Sequence, residues 1–215
     1  MSFLVGLDPG GSGAFGWCVS RDTDRLPLGL EGYGVADHAE GAVNAVLRLV
    51  GLSGQIVGLG IDSPLFWTPA GDRKVDKLLR QNLRRRGGPV SAVMSVNSLQ
   101  GACLVQGVLA GQLLRNRFPA MPVTEAHPKV LLWLLDVIGP GQRANEVAMS
   151  KLSQLAVCDG EAVSEHIRDA ALAAVTAWAM LHHPEGWRDI ATCDGEAMCP
   201  WNANVSYWMP VQRTT

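Results

Sequence analysis

Four acidic residues of the sequence stand where they could do chemistry. Asp8, Asp62 and Glu125 each follow a short apolar run, and Asp169 comes three residues after His166 in an alanine-rich segment. If a sheet and a helix bring Asp8, Asp62 and Asp169 together beside the histidine, their carboxylates repel each other in a partly dry site. Divalent cations relieve that repulsion, and two of them can activate a water and stabilise a leaving oxygen. The reaction expected from this set is phosphodiester hydrolysis with Mg²⁺ or Mn²⁺.

The elements that must position these residues follow from the hydrophobic pattern. Apolar runs bounded by turn residues predict strands, and apolar residues at helical spacing predict helices. The predicted strands cover 3–7, 14–20, 28–35, 56–61 and 122–124, and the predicted helices cover 39–50, 74–83, 98–117, 129–137, 145–158 and 162–183. This order is an α/β pattern with a mixed β-sheet flanked by helices, as in the ribonuclease H-like fold.

The last predicted helix could come close to the sheet. His166 and Asp169 flank its apolar stripe, beside Ala170, Ala173 and Ala177. Small alanine side chains allow close approach, and the carboxyl ends of strands are where α/β sheets collect their sites. We therefore expect the acids and His166 to converge on one pocket.

Composition narrows the class of protein. The chain has 215 residues, of which 47% are hydrophobic and 18% charged, which suits one folded domain and excludes a long disordered chain. We expect a single domain over 1–215, with a basic insertion at 66–93 and a tail at 184–215. No apolar run approaches the ~20 residues that cross a bilayer. The first residues lack the basic stretch of a secretory signal, so we expect a cytoplasmic protein.

Basic residues are concentrated in one segment of a chain whose net charge is −2. Seven of the eighteen lysines and arginines, which could neutralise nucleic-acid phosphates, lie between positions 73 and 86: Arg73, Lys74, Lys77, Arg80, Arg84, Arg85 and Arg86. The alternative is a solvated helix face. Within this segment Arg73, Asp76 and Arg80 could form an exposed ladder of ion pairs, or could line the pocket and hold phosphate.

The cysteines indicate neither disulfides nor a metal site. Their number is odd and they are widely spread, so they are interpreted as small buried hydrophobes: Cys18, Cys103, Cys158, Cys193 and Cys199. Only the last two, near His182 and His183, could suggest zinc, and their spacing lacks the CxxC pattern of structural sites.

Two motifs resemble RuvC-type nucleases. Phe3-Leu4-Val5-Gly6-Leu7-Asp8-Pro9-Gly10, followed by Gly13-Ala14-Phe15-Gly16-Trp17, looks like their opening strand and hairpin. His166-Ile167-Arg168-Asp169-Ala170 looks like their closing metal-binding helix. RuvC resolvases usually carry Glu on the central strand, where this chain has Asp62-Ser63-Pro64, and this departure counts against junction cleavage.

A wider set of motifs resembles an uncharacterised family of predicted ribonuclease H-like nucleases. The set is Gly60-Ile61-Asp62-Ser63-Pro64, the segment from Arg73 to Arg80 with Asp76, Thr124-Glu125-Ala126-His127-Pro128, and Asp169-Ala170-Ala171. It covers nearly the whole chain to about Pro184. The resemblance implies that Asp8, Asp62 and Asp169 hold metal, that His166 is a ligand or proton carrier, and that Glu125 lies near the rim.

Each acid also has a structural interpretation. Asp8 could be a turn residue before Pro9, and Asp62 could cap the end of its strand. His166 and Asp169 could form a surface pair one helical turn apart. Glu125 could belong to the start of a helix, where acids are favoured.

Three functions compete. The first is a metal-dependent nuclease acting on DNA or RNA, with Trp67 as a base-stacking candidate. The second is a sugar-kinase or actin-like phosphotransferase, since Asp8 precedes a glycine-rich hairpin, although no second domain and no GxxxxGK[ST] motif is evident. The third is a non-catalytic nucleic-acid-binding module. The apolar helix near 99–114 could pack a homodimer or belong to the core.

Overall fold

The computed structural model describes residues 1–11, 13–66, 68, 73–94, 101–157, 164–193, 199, 201 and 204–210. In this part of the chain, eight strands and five α-helices carry the architecture. The strands are β1 (Ser2–Asp8), β2 (Phe15–Arg21), β3 (Leu28–Ala36), β4 (Gln55–Ile61), β5 (Val123–Glu125), β6 (Ala156–Val157), β7 (Trp187–Asp189) and β8 (Ser206–Pro210). The helices are α1 (Ala39–Val50), α2 (Lys74–Arg85), α3 (Gly101–Arg117), α4 (Pro128–Leu134) and α5 (Glu165–His182).

The strands form one mixed sheet in the order β6-β3-β2-β1-β4-β5-β8-β7. The first three strands are antiparallel neighbours, and β4 and β5 continue the sheet parallel to β1. A central β1 with an antiparallel meander on one side and parallel strands on the other is the ribonuclease H-like arrangement. The predicted fold class is therefore confirmed.

Alternate residues of β1 face two different layers. Phe3, Val5 and Leu7 pack with α1 and α3 in one apolar cluster, whereas Leu4 packs with α5 on the opposite face. This is the period-two alternation of a strand. Asp8 has the parity of Leu4, so its side chain emerges on the face that α5 covers.

Glycines on that face allow α5 to lie unusually close. A Cβ added to Gly6 of β1 would collide with the carbonyl oxygen of Ala170, and one added to Gly60 of β4 would collide with that of Ala173. The close approach expected from the alanine edge of the last helix is therefore confirmed. It requires glycine on the strands as well as alanine on the helix.

The segment after β4 packs at the end of the sheet. Val75, Leu79 and Leu83 of α2 are fully buried in a second cluster with residues of α4 and β8. Although α2 is rich in charge, this inner face fixes it beside the carboxyl ends of β4 and β5.

The predicted helix at 145–158 is wrong. The chain instead forms two short 3₁₀ turns, Ala144–Glu146 and Met149–Leu152, and then β6, which pairs with β3. The carbonyls of Ala144 and Val147 accept hydrogen bonds from the Arg168 side chain, and the backbone N–H of Val147 donates to the Ala144 carbonyl in a 3₁₀ turn rather than an α-helical one.

Other boundaries differ by a few residues. The predicted helix 129–137 runs over Pro128–Leu134. The predicted starts at 98 and 162 fall outside the described residues, and Ser164 caps α5 by accepting a hydrogen bond from the backbone of Ile167. The strands β6 and β7 were not predicted.

The cysteines in the described part of the chain are free, and their surroundings differ. Cys18 is buried, Cys103 and Cys199 are half-buried and Cys193 is exposed, so the expectation of uniformly buried cysteines is wrong. Cys158 lies outside the described residues. None of the helices described is both long enough and apolar enough for a transmembrane span.

Candidate active site

The structure brings the five predicted site residues together around one cavity of about 680 Å³. It opens at the carboxyl ends of β1, β4 and β5, and the first turns of α5 close one side. Its acidic and imidazole side chains include these five, Asp8, Asp62, Glu125, His166 and Asp169, together with Asp76, His127 and Glu165. Further walls come from the turn after β1, the start of α3 and residues 91–94.

Asp8 and His166 form a direct pair. His166 Nδ1 lies 2.9 Å from Asp8 Oδ2, and the histidine ring is about one third exposed. Gly16 on β2 makes room for this contact, because a Cβ there would collide with the His166 carbonyl. Burial and the neighbouring charge of Asp169 raise the pKa of Asp8 to about 6, although His166 acts in the opposite direction.

Asp62 sits beside Asp8 because the ends of β1 and β4 are held in register. The backbone N–H of Asp62 donates to the Leu7 carbonyl at 2.9 Å. Burial and the charges of Asp8 and Asp169 raise the pKa of Asp62 well above its usual value. Because the charges of Asp8 and Asp169 both contribute to the shift at Asp62, the three carboxylates are close enough to interact.

Asp169 is buried and held by its neighbour in sequence. Arg168 Nε donates to Asp169 Oδ1 at 2.7 Å, and Arg168 Nη1 donates to the Ala144 carbonyl at 2.7 Å. Burial raises the pKa of Asp169 despite this arginine. Because Asp169 is only 2% exposed, the interpretation of His166 and Asp169 as a surface pair is wrong.

Two basic residues of the site, Lys129 and Arg168, were not predicted from the sequence. The closing-helix motif contains Arg168, but the sequence pattern did not assign it a role. The available signal was a charged residue among alanines that are predicted to be buried. Lys129 lines the cavity, and its charge lowers the pKa of Asp8, Asp62 and Asp169. The available signal was a lysine four residues after Glu125, in the first turn of a helix that begins at this edge of the sheet.

Glu125 is not at the rim. It is 2% exposed and accepts hydrogen bonds from both terminal nitrogens of Arg73, at 2.8 and 2.9 Å, and from the Leu65 backbone at 2.9 Å. Burial raises its pKa, although the Arg73 guanidinium acts in the opposite direction. With its oxygens engaged in this way, Glu125 ties α2 to the sheet.

Arg73 is buried as well, at 1% exposure. Besides the two bonds to Glu125, it donates to both carboxylate oxygens of Asp76, at 2.8 and 2.9 Å, and to the Phe66 carbonyl at 3.2 Å. All five guanidinium donors are thus used. The structure contradicts both the predicted phosphate contact of Arg73 and the predicted exposed ladder with Asp76.

The remaining basic residues divide into two groups. Arg80 donates to the Val93 carbonyl, and Arg86 donates to the Trp133 carbonyl and pairs with Asp136, so both stabilise the segment around α2. The other four, which are exposed on α2, are Lys74, Lys77, Arg84 and Arg85. Trp67, the stacking candidate, lies outside the described residues.

The donor chemistry of the cavity suits a hard divalent cation. Carboxylate oxygens are the ligands that Mg²⁺ and Mn²⁺ prefer. Burial is the first cause of the raised pKa values of Asp8, Asp62 and Asp169, neighbouring carboxylates add to it, and a cation would stabilise the ionised form of all three. Among the residues described, however, no three or more His, Cys, Asp or Glu side chains are already grouped as a metal site.

Comparison with known proteins yields only distant similarity. No protein-family model and no curated protein matches the sequence. The solved structures to which this chain is similar include RuvC from Thermus thermophilus and T. thermophilus RuvC in complex with a Holliday junction substrate. Their identities are 15% and 14% and their TM-scores 0.38 and 0.39, and each comparison covers 84% of this chain and 96% of the other.

Proposed function

We propose that this protein is a metal-dependent nuclease that hydrolyses phosphodiester bonds of nucleic acid. The observation that carries the proposal is the set of Asp8, Asp62 and Asp169 around one cavity, each with a raised pKa. Buried acids that repel each other cost stability, and a cleft with such perturbed groups is a candidate catalytic site. Asp8, Asp62 and Asp169 are polar side chains, so packing of an apolar core does not account for their burial.

In this proposal Asp8, Asp62 and Asp169 hold Mg²⁺ or Mn²⁺. The bound ions supply an activated water and stabilise the leaving oxygen. Asp8 orients the His166 ring through Nδ1, which leaves Nε2 to hold or pass a proton. Lys129 offers an ammonium group to a phosphate oxygen within the same cavity.

Glu125 has a different part in this scheme. The sequence argument placed it among the catalytic residues, but its two oxygens accept three hydrogen bonds from Arg73 and Leu65. We therefore assign it to positioning of α2 and of the cavity wall, and leave the chemistry to the other four residues.

We also propose, from the motif resemblance, that the chain belongs to the RuvC-like branch of ribonuclease H-like nucleases. The solved RuvC complex contains a Holliday junction. This chain has Asp62, rather than the Glu usual on the central strand of RuvC resolvases, so we do not propose a junction as its substrate.

Cleavage assays test the proposal. Labelled single-stranded, duplex, hybrid and junction substrates are incubated with Mg²⁺, with Mn²⁺ or with EDTA. Cleavage of at least one substrate that requires metal and is lost in Asp8→Asn supports the nuclease. Metal-independent binding without cleavage by the wild type, under every condition, would contradict it and favour a non-catalytic binding module.

A further inference from the structure

Four exposed basic residues lie along one side of α2, and we call them the α2 stripe: Lys74, Lys77, Arg84 and Arg85. At about 100° per residue these positions fall within roughly 100° of the helix circumference. At about 1.5 Å per residue they extend over roughly 16 Å along the axis. Asp76, the one acid in α2, is buried against Arg73 and does not share this side.

The α2 stripe has a fixed position relative to the carboxylates. Val75, Leu79 and Leu83 bury the opposite side of α2, and Arg73 joins its beginning to Glu125 of β5. Arg73 and Asp76 also line the cavity, so α2 begins at the proposed active site and leads away from it. A chain of phosphates that passes the carboxylates can therefore continue along this helix.

The charge of the rest of the molecule strengthens this assignment. Outside residues 73–86 the sequence has eleven basic and nineteen acidic residues. The rest of the chain therefore carries a net negative charge, and the α2 stripe is a local region of opposite sign. Such a region attracts the phosphates of a nucleic acid to one place on the protein and aligns them with the axis of α2.

The site itself favours an unpaired strand. Asp169 is 2% and Asp8 9% exposed, so a phosphate reaches them only inside the cavity of about 680 Å³. A cavity of this size admits a flexible backbone with one or two nucleotides more readily than two paired strands. An unpaired strand can bend into the cavity and follow α2 as well.

We propose that the α2 stripe binds the backbone of a single-stranded segment of nucleic acid beside the scissile phosphate. This inference rests on the proposed function and names the class of its substrate. It assigns the four exposed residues to substrate binding and excludes Arg73, which is buried, and Arg80 and Arg86, which are half-buried.

Fluorescence anisotropy in EDTA tests the inference, because binding is then separate from metal and from cleavage. Labelled single strands and duplexes of equal length are titrated over a series of salt concentrations. The variant Lys74→Gln/Lys77→Gln/Arg84→Gln/Arg85→Gln is compared with a control that neutralises four other exposed basic residues: Arg48→Gln/Arg117→Gln/Lys151→Gln/Arg188→Gln. Circular dichroism verifies that both variants are folded.

The expected result is tighter binding of single strands than of duplexes by the wild type. In the stripe variant the slope of log affinity against log salt becomes shallower by about 2–3, since each phosphate contact on a single strand contributes ~0.7. The control keeps more of the slope than the stripe variant. An unchanged slope in the stripe variant, or equal affinity for single strands and duplexes, overturns the inference.

The two proposals fail in different ways. If the wild type cleaves nucleic acid with metal and the stripe variant binds it normally, the α2 assignment is wrong and the nuclease stands. If single strands bind through the α2 stripe and the wild type cleaves no substrate with either metal, the nuclease is wrong and the α2 assignment stands.

Discussion

His166 Nδ1 lies 2.9 Å from Asp8 Oδ2, across a contact that joins the first strand to the last helix. The residues are 158 positions apart in sequence. Their pairing depends on Gly6 and Gly16, which let α5 approach the sheet. The contact therefore couples the packing of the domain to the geometry of its proposed catalytic group.

Replacing His166 by Gln should lower nuclease activity by about 100-fold or more, since a positioned proton carrier contributes ~10²–10⁴. Because we expect the three carboxylates to remain, metal affinity should change much less. Steady-state cleavage and metal titration measure the two effects. The matched control is His182→Gln, which removes a similar pair with Asp22 at 2.8 Å, at the other end of α5. Equal loss in both variants would show that His166 acts only through stability.

Replacing Asp8 by Asn should stabilise the metal-free protein near pH 7.5 by roughly 1–3 kcal/mol. The pKa of Asp8 is raised from 3.8 to about 6 in the folded protein, mainly by burial and then by Asp169. Between these pH values the folded protein holds a proton that the unfolded chain releases, so stability falls as pH rises. Above a pH of about 6 this loss of folding stability is complete.

Thermal unfolding in EDTA, at several pH values between about 4 and 7.5, measures this effect. The two proteins should differ little at the acidic end and most at the neutral end. A variant that is less stable than the wild type at neutral pH, or a difference independent of pH, would contradict the raised pKa of Asp8.

Replacing Arg73 by Met should destabilise the fold by about 3–5 kcal/mol, because it leaves the buried carboxylates of Asp76 and Glu125 without a partner. Urea unfolding measures the loss. Arg143→Met is the control, since its ion pair with Glu146 is exposed and long at 3.7 Å, and it should change stability by less than about 0.5 kcal/mol. A small effect at Arg73 would show that its ion pairs contribute little.

Replacing Gly60 by Ala should push α5 away from β4, because the added Cβ would collide with the Ala173 carbonyl. We expect a loss of about 1–3 kcal/mol, as for other overpacked cores, and weaker metal binding. In the control Gly29→Ala, the new methyl group on β3 meets no atom within 4 Å. If Gly60→Ala kept both stability and metal affinity, the close contact would not matter for the site.

Much of the site could be predicted from the sequence, because its parts depend on local patterns. Strand ends place Asp8 and Asp62 at one edge of a sheet, and the alanines of the last helix indicate its close packing. The glycines that receive α5 are as informative as the alanines, since Gly6 and Gly60 stand two residues before Asp8 and Asp62. This spacing places each glycine and acid on the same face of its strand.

The parts that escaped prediction depend on partners distant in sequence. Arg73 looks like a surface residue because its neighbours are basic, and its burial follows from Glu125, 52 positions away. The segment 145–158 resembles a helix by composition. Its described part instead forms two 3₁₀ turns and then β6. The carbonyls of residues 144 and 147 accept hydrogen bonds from Arg168, and β6 pairs with β3. Local periodicity does not report such contacts.

Calorimetric titration of the protein with Mg²⁺ and Mn²⁺ tests the central claim most directly, since it asks whether Asp8, Asp62 and Asp169 hold a divalent cation. The wild type should bind at least one ion, with or without a non-cleavable single strand present. Asp8→Asn/Asp169→Asn should remain folded and lose that binding. No binding by the wild type under either condition, or equal binding by the double variant, would contradict the account.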